Sequence, residues 1–285
     1  MKTPEGRKIT KMETQNQISI VFMVAGMSSR FGGKIKQFAK VTENQTLIEY
    51  SLNQAIKAGF NKIILIVGNL TEKPFKEKFG SSYNGIPIYY ALQTFSPENR
   101  DRPWGTADAL VSAKPFIESS FVVCNGDDLY GENTFKILFN HLKENKDSAT
   151  ISYKLGDVLS EKGTVNRGIF QVEQTKVKKI TETFNISKEN LEEKNLSPDD
   201  LCSQNIFALH AQILDILEKI VLDFKLKHTR DRKAECLLPS ELSNLIELGK
   251  INLVLYSTPD KWIGVTNPED EEIVRNQLKL LKNNF

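Results

Sequence analysis

Residues 18–33 read Ile18-Ser19-Ile20-Val21-Phe22-Met23-Val24-Ala25-Gly26-Met27-Ser28-Ser29-Arg30-Phe31-Gly32-Gly33. The first eight form a short, partly β-branched apolar run that stops at a glycine, the pattern of a parallel strand buried on both faces. Downstream, Leu47, Ile48, Leu52, Ala55, Ile56 and Phe60 recur at three- and four-residue intervals, which predicts an amphipathic helix ending near Gly59. A second apolar run follows at 63–67. Strand, loop, helix and strand in succession make a βαβ unit, for which a right-handed crossover is expected. The alternation continues with an extended stretch at 86–92, a helix at 106–116, a buried strand at 121–124 and a helix at 133–143 with Phe135, Leu138, Phe139 and Leu142 on one face.

From Ala149 the texture changes. Stretches at 149–155, 168–172 and 177–181 read as strands separated by turns, a mixed or antiparallel extension of the sheet carrying the other half of a site. Residues 185–200 are strongly polar without a clear period, which predicts a solvated loop or fraying helix. The remainder reads as a strand at 205–209, helices at 211–222 and 239–248, a strand at 251–256 and a final helix at 268–281.

Composition narrows the function. Lys plus Arg number 38 against 36 Asp plus Glu, a net +2, too balanced for a protein whose affinity rests on neutralising a polyphosphate backbone, so no nucleic acid partner is expected. Cys124, Cys202 and Cys236 are far apart and lack CxxC spacing, which argues against a disulfide framework or a cysteine zinc site and predicts a reducing, cytoplasmic setting. No run approaches the roughly 18 apolar residues a membrane span requires, so no membrane partner is expected. Residues 1–17 are polar and lack an apolar h-region, which predicts a flexible N-terminal tail and not a secretory signal.

The loop that leaves the first strand has the chemistry of a phosphate site. Gly26 permits unusual dihedrals, small residues let backbone amides approach a phosphate, and Arg30 and Lys36 add positive charge. Ordinary turns use the same small residues. A dinucleotide fingerprint, GxGxxG, fails because Ser29 stands third after Gly26; a Walker loop fails because Phe31 stands where its second glycine belongs.

The loop instead resembles the signature of the sugar nucleotidyltransferases (nucleoside-diphosphate-sugar pyrophosphorylases), roughly AGxGxR followed by a segment containing lysine. Further segments fall in that family's order: Gln93, Arg102-Pro103-Trp104-Gly105-Thr106-Ala107-Asp108-Ala109, Asn125-Gly126-Asp127-Asp128, Gly163-Thr164-Val165-Asn166-Arg167-Gly168, Asn205, Glu235 and Asp260-Lys261-Trp262-Ile263-Gly264-Val265-Thr266. The resemblance implies an α/β fold, three-layer and Rossmann-like, with a mixed, mainly parallel sheet of the nucleotide-diphospho-sugar transferase type. It also implies one domain over 18–285, with a nucleotide-binding half at 18–148 and an acceptor-binding half at 149–285.

Residue by residue, the resemblance places Ala25, Gly26, Met27, Ser28 and Ser29 around a nucleoside triphosphate, with Arg30 and Lys36 stabilising charge as the α-phosphate is attacked. Gln93 and Gly105 would face the base, Thr106 would also bind the nucleotide, and Asp127 would hold Mg²⁺. Arg167, Gly168, Glu182, Asn205 and Glu235 would bind a phosphorylated acceptor. Transfer of this kind needs alignment and charge neutralisation more than covalent help, which a guanidinium, an ammonium and a carboxylate-bound metal supply.

Two departures concern the acceptor and the metal. Many members carry Trp-x-Asp-x-Gly-Thr near the end, its Asp a second metal ligand; here Gly264 stands at that place, leaving Asp260 or Asp128 as substitutes, with Asp260 the candidate taken. The family's Glu-Lys-Pro corresponds to Glu182-Thr183-Phe184, so the phosphate-binding lysine is missing and Arg167 is the nearest basic alternative. The leading expectation is transfer to a sugar 1-phosphate. A phosphoalcohol acceptor such as phosphocholine, a non-catalytic nucleotide-binding homologue and, least, a glycosyltransferase are the other readings. The oligomeric state is not fixed by the sequence, and a homo-oligomer is compatible with it.

Overall fold

Strand β1 (Ser19–Met23) lies between two parallel neighbours, β2 (Lys62–Val67) and β5 (Phe121–Asn125). Successive side chains on a strand point to opposite faces. Ile20, Phe22, Ile63, Leu65 and Val67 accordingly enter one core, while Val21, Ile64 and Ile66 enter a second. A sheet covered on both faces therefore demands the unbroken apolar runs seen in the sequence. The computed structural model describes residues 17–26, 35–160, 163–264 and 274–278. Apart from Gln17, the expected tail lies outside them.

Helices α1 (Leu47–Ala58) and α4 (Glu132–Glu144) cover the first face through Ile48, Leu52 and Ala55 and through Phe135, Leu138 and Leu142. Helix α1 starts at a capping box in which the Thr46 amide donates to Glu49 Oε2 at 2.8 Å, and it stops at Gly59. Helices α3 (Thr106–Ser112), α5 (Ile213–Lys227) and α6 (Leu238–Glu247) cover the second face through Leu110, Leu217 and Leu242. Three layers result.

The remaining strands are β3 (Ser82–Tyr83), β4 (Ile86–Leu92), β7 (Ser148–Lys154), β8 (Val165–Glu173), β9 (Lys176–Ile186), β10 (Leu201–Ser203), β11 (Phe207–Leu209) and β12 (Leu253–Ser257). Among the described residues one mixed sheet runs β10-β8-β9-β12-β7-β11-β5-β1-β2-β4-β3. The block β4-β2-β1-β5 is parallel, and β8 and β9 form a long antiparallel pair. Beside this sheet, β6 (Asp128–Leu129) pairs antiparallel with β13 (Ile263–Gly264). The fold is the α/β type expected.

Local differences have local causes. The helix expected over 106–116 ends at Ser112, and Lys114–Phe116 form a separate 3-10 turn, because Pro115 has no N–H to continue the ladder. The stretch 185–200 is not a loose loop: β9 extends to Ile186, and backbone bonds from Leu155 to Asp200 and from Gly156 to Pro198, both 2.8 Å, tie the turns that follow to the sheet end. The pattern reading also passed over α2 (Glu72–Phe79), which buries only Phe75 and Phe79. Of the final helix, residues 274–278 are described; Val274 and Leu278 pack with Leu129 and Ile263.

Phe135 is the hub of the first core, meeting Phe22, Phe60 and Tyr130 edge-on at centroid separations of 6.2, 6.3 and 6.1 Å. Truncation removes buried area and leaves a cavity between layers that cannot collapse. Phe135→Ala should therefore cost about 3–5 kcal/mol of unfolding free energy, read from urea denaturation.

Candidate active site

After β1 the chain lays β2 and then β4 on one side, and only later returns to place β5 on the other. The strand order reverses at β1. In open parallel sheets such a reversal leaves a crevice beyond the carboxyl ends of the strands, where ligands bind. Here the ladders run one residue past the strands, with Val24 N bonded to Ile66 O at 2.9 Å, Gln93 N to Val67 O at 2.8 Å and Gly126 N to Met23 O at 3.0 Å. Ala25, Gly26, Gln93 and Asp127 therefore stand at the same end of the sheet.

The charged groups meet there. Lys36, on a 3-10 turn at Lys36–Phe38, places Nζ 2.9 Å from Asp127 Oδ2, although 91 positions separate the two residues. They open onto a cavity of about 250 Å³ also lined by Asn125, Asp128, Asn166, Arg167, Gly168, Glu182, Ser203, Gln204, Asn205, Trp262 and Gly264. Met27, Ser28, Ser29 and Arg30 lie outside the described residues.

Burial sets the electrostatics of the lining. Asp128 is 7% exposed, and burial, reinforced by the neighbouring Asp127 charge, pushes its carboxyl up to about 6. Burial raises Glu182 above the ordinary glutamate value of 4.5, opposed by the Arg167 cation. Burial lowers Arg167, whose Nη1 and Nη2 donate to the carbonyls of Asn166 and Val158 at 3.0 and 3.2 Å. Its Nε and the Trp262 Nε1 are buried donors without a partner among the described residues, and the guanidinium carbon lies 5.1 Å from the centre of a Trp262 ring.

A second cluster surrounds Gly105. Gln93 Nε2 donates to Gly105 O at 3.1 Å and to Asp108 Oδ2 at 2.9 Å, so this buried amide holds the Gly105 turn in place. Gly105 has φ +98°, and a side chain there would run into the Cys236 backbone, which leaves glycine alone free of strain. Thr106 is not a helix cap: Gly105 takes that position, and the Thr106 hydroxyl accepts from Leu238 N at 2.8 Å.

Two expected site residues are engaged elsewhere. Glu235 does not line the acceptor cavity; it pairs with Arg102 at 2.8 Å, beside the Gly105 turn. Asp260 does not point at Asp127, since its carboxylate accepts from Asn133 Nδ2 and from Thr134 N, both at 2.9 Å, and so caps the start of α4. Conversely, Ser203 and Gln204 line the cavity and were not singled out, and Asn125 entered only within the Asn125-Gly126-Asp127-Asp128 segment, with no role given; the run of small polar residues ending β10 at Ser203, just before Asn205, was the available signal for the first two.

The sequence profile of the family described as Nucleotidyl transferase matches residues 32–223. The chain belongs to this family. Among curated relatives, the bifunctional protein GlmU of Bacillus velezensis is 24% identical over 189 residues, 65% of this chain and 38% of the relative, so the chain spans well under half its length. The D-glycero-alpha-D-manno-heptose 1-phosphate guanylyltransferase of Campylobacter jejuni is 26% identical over 149 residues, 51% of this chain and 62% of the relative. Among solved structures, a UDP-glucose pyrophosphorylase complexed with UDP-glucose superposes with TM-score 0.66 at 18% identity, over 92% of this chain and 98% of that one, which establishes a shared fold. In this member of the family the cleft at the strand-order reversal combines two cations with three carboxylates, Asp127, Asp128 and Glu182.

Glu182 supplies a pH test. Its folded value lies above 4.5, so between 4.5 and that raised value the folded state binds more protons than the unfolded chain, and stability falls as pH rises through the window. Glu182→Gln should flatten this slope, read from urea midpoints at about pH 4, 5.5 and 7. Equal slopes in the two proteins would exclude Glu182 as the group penalised by burial.

Proposed function

We propose that the protein transfers a nucleotidyl group from a nucleoside triphosphate to a sugar 1-phosphate, forming a nucleotide-activated sugar and pyrophosphate. The observation that carries this reading is the Lys36–Asp127 pair at 2.9 Å, an ammonium and a carboxylate from distant segments meeting at the strand-order reversal and opening onto a polar cavity. The relatives point the same way, since the Campylobacter protein is named for guanylyl transfer to a heptose 1-phosphate.

An oxygen of the acceptor phosphate attacks the α-phosphorus in line; the new P–O bond forms as the bond to the β-phosphate breaks, and pyrophosphate leaves with the electron pair. No general base is required, because a phosphate oxygen is already ionised at neutral pH. Lys36, with Arg30, neutralises charge developing on the phosphates, and the triphosphate competes with Asp127 for the Lys36 ammonium. Residues 25–29 cradle the phosphates, and Gln93 serves the nucleotide by holding the Gly105–Thr106 turn. A hard anionic oxygen donor at a strand end fits Mg²⁺, which binds through one or two carboxylates plus substrate phosphates, and Asp127 is that donor. When bound, the ion neutralises phosphate charge.

On the acceptor side, Arg167 anchors the phosphate. Asn125, Thr164, Asn166, Glu182, Ser203, Gln204 and Asn205 present amides, hydroxyls and a carboxylate, the chemistry that recognises several hydroxyl groups. This lining favours a sugar over phosphocholine: Trp262, the aromatic residue lining the cavity among those described, already faces Arg167. We assign residues 18–148 to the nucleotide half and 149–285 to the acceptor half. The three cysteines are free and buried, in keeping with a cytoplasmic setting. No helix among the described residues is long and apolar enough to cross a membrane.

Incubation with Mg²⁺, each nucleoside triphosphate and a panel of sugar 1-phosphates and phosphoalcohols should release pyrophosphate with a sugar 1-phosphate. Lys36→Ala should lower kcat by about 10²–10³. Arg167→Ala should raise the acceptor KM roughly tenfold and leave that for the triphosphate unchanged. Nucleotide binding by calorimetry with no turnover across the panel would point instead to a non-catalytic homologue.

A further inference from the structure

We propose that Asp128 supplies the second carboxylate of the divalent-cation site, replacing the one that Gly264 cannot provide. The inference rests on the reading of Asp127 as a metal ligand. Strands β6 and β13 pair Asp128 directly with Gly264, so the position that lacks a carboxylate and the position that bears an additional one face each other across a two-stranded ladder. The loss at one strand is matched by a gain at its neighbour.

Position 264 is closed to a side chain. A Cβ built on Gly264 would collide with the Trp262 indole, so an aspartate there would have to displace the ring that lies over Arg167. Asp260 is held at the start of α4 by Asn133 and Thr134. Of the two other carboxylates lining the cavity, Asp128 adjoins Asp127 in the chain, whereas Glu182 comes from β9 and faces the Arg167 cation.

The hydrogen-bond accounting at Asp128 leaves acceptor capacity that a cation could use. A carboxylate offers about four acceptor sites. Asn125 Nδ2 donates to Oδ2 at 2.9 Å, and the Tyr130 hydroxyl lies 3.3 Å from the same oxygen. That hydroxyl has one proton, and its 2.6 Å contact with Gln204 O claims it. One firm donor is left for a carboxylate that is 7% exposed. Among the described residues neither nearby cation is given a hydrogen bond to Asp128, Lys36 pairing with Asp127 and Arg167 donating to two backbone carbonyls, although both charges favour the ionised carboxylate from a distance. Buried carboxylates are normally paired or bound to metal, and an Mg²⁺ ion with one or two carboxylates and several waters meets that requirement.

The test is binding of Mn²⁺ alone to metal-stripped protein, followed by the electron paramagnetic resonance signal of free Mn²⁺. Wild type should bind one ion; Asp127→Asn and Asp128→Asn should each weaken it by about tenfold or more, and Asp260→Asn should leave it unchanged. Full Mn²⁺ affinity in a folded Asp128→Asn protein, with loss in Asp127→Asn, would overturn the assignment while leaving Asp127 as a ligand. No binding by wild type would overturn both. Should Asp128→Asn not fold, wild-type protein carrying ¹³C at its aspartate carboxyl carbons answers the question: Mg²⁺ should shift two of these signals strongly, and a shift of one alone would remove Asp128 from the site.

Discussion

The reversal of strand order at β1 governs the rest of the molecule. Because β2 and β5 flank the same strand on opposite sides, the connections leaving β1 and β5 part company above the sheet and leave a crevice between them. Every group argued to act on phosphate sits on one of those connections or on a segment folded against them. Lys36 arrives from the loop after β1, Asp127 from the residues after β5. The side proposed for the acceptor is added by the β8–β9 pair and by β10, which bring Arg167, Glu182 and Ser203 to the same opening.

The cleft mixes signs for a physical reason. A purely cationic pocket would hold a triphosphate and its pyrophosphate product alike, since uniform binding stabilises ground and transition states equally. Asp127 keeps the Lys36 ammonium partnered in the unliganded cleft. On the proposed reading Lys36 would exchange one anionic partner for another as substrate enters, a change that a side-chain tip on a short 3-10 turn can make without rearranging the strands.

What was legible in the sequence follows from which forces are local. The parallel strands β1, β2 and β5 are buried on both faces, so their residues carry the signal directly as apolar runs. Strand β9 was read short because its polar, exposed positions, such as Lys178, Lys179 and Asn185, dilute the alternation; its full length comes from pairing with β8. Helix α2 escaped because two phenylalanines four apart, embedded among lysines and glutamates, give too little periodicity. The Lys36 and Asp127 positions were legible as ordered motifs. Asp260 and Glu235 were misdirected because a side chain's partner depends on what the fold brings beside it, here the first amides of α4 and the Arg102 guanidinium.

The same contrast explains how the nucleotide side is built. The Gly105 turn is held by contacts that span the chain: Cys236 N bonds to Trp104 O at 2.7 Å, Ala107 N to Cys236 O at 3.0 Å, and Arg100 is buried with its guanidinium stacked 3.3 Å from a Trp104 ring centre. Arg100 also donates to the carbonyls of Arg102, Asp231 and Ala234, stitching residues 100–104 to 231–234. A buried guanidinium used in this way satisfies carbonyls that two irregular segments would otherwise leave unpaired. Loops held this firmly lose little further conformational freedom on binding, so on the proposed reading the Gly105 backbone would meet a nucleotide already in place. The residues that do this work, Arg100 and the 231–236 segment, lie outside the phosphate loop and contact it nowhere among the described residues; their part is to make a glycine turn rigid, which no short motif records.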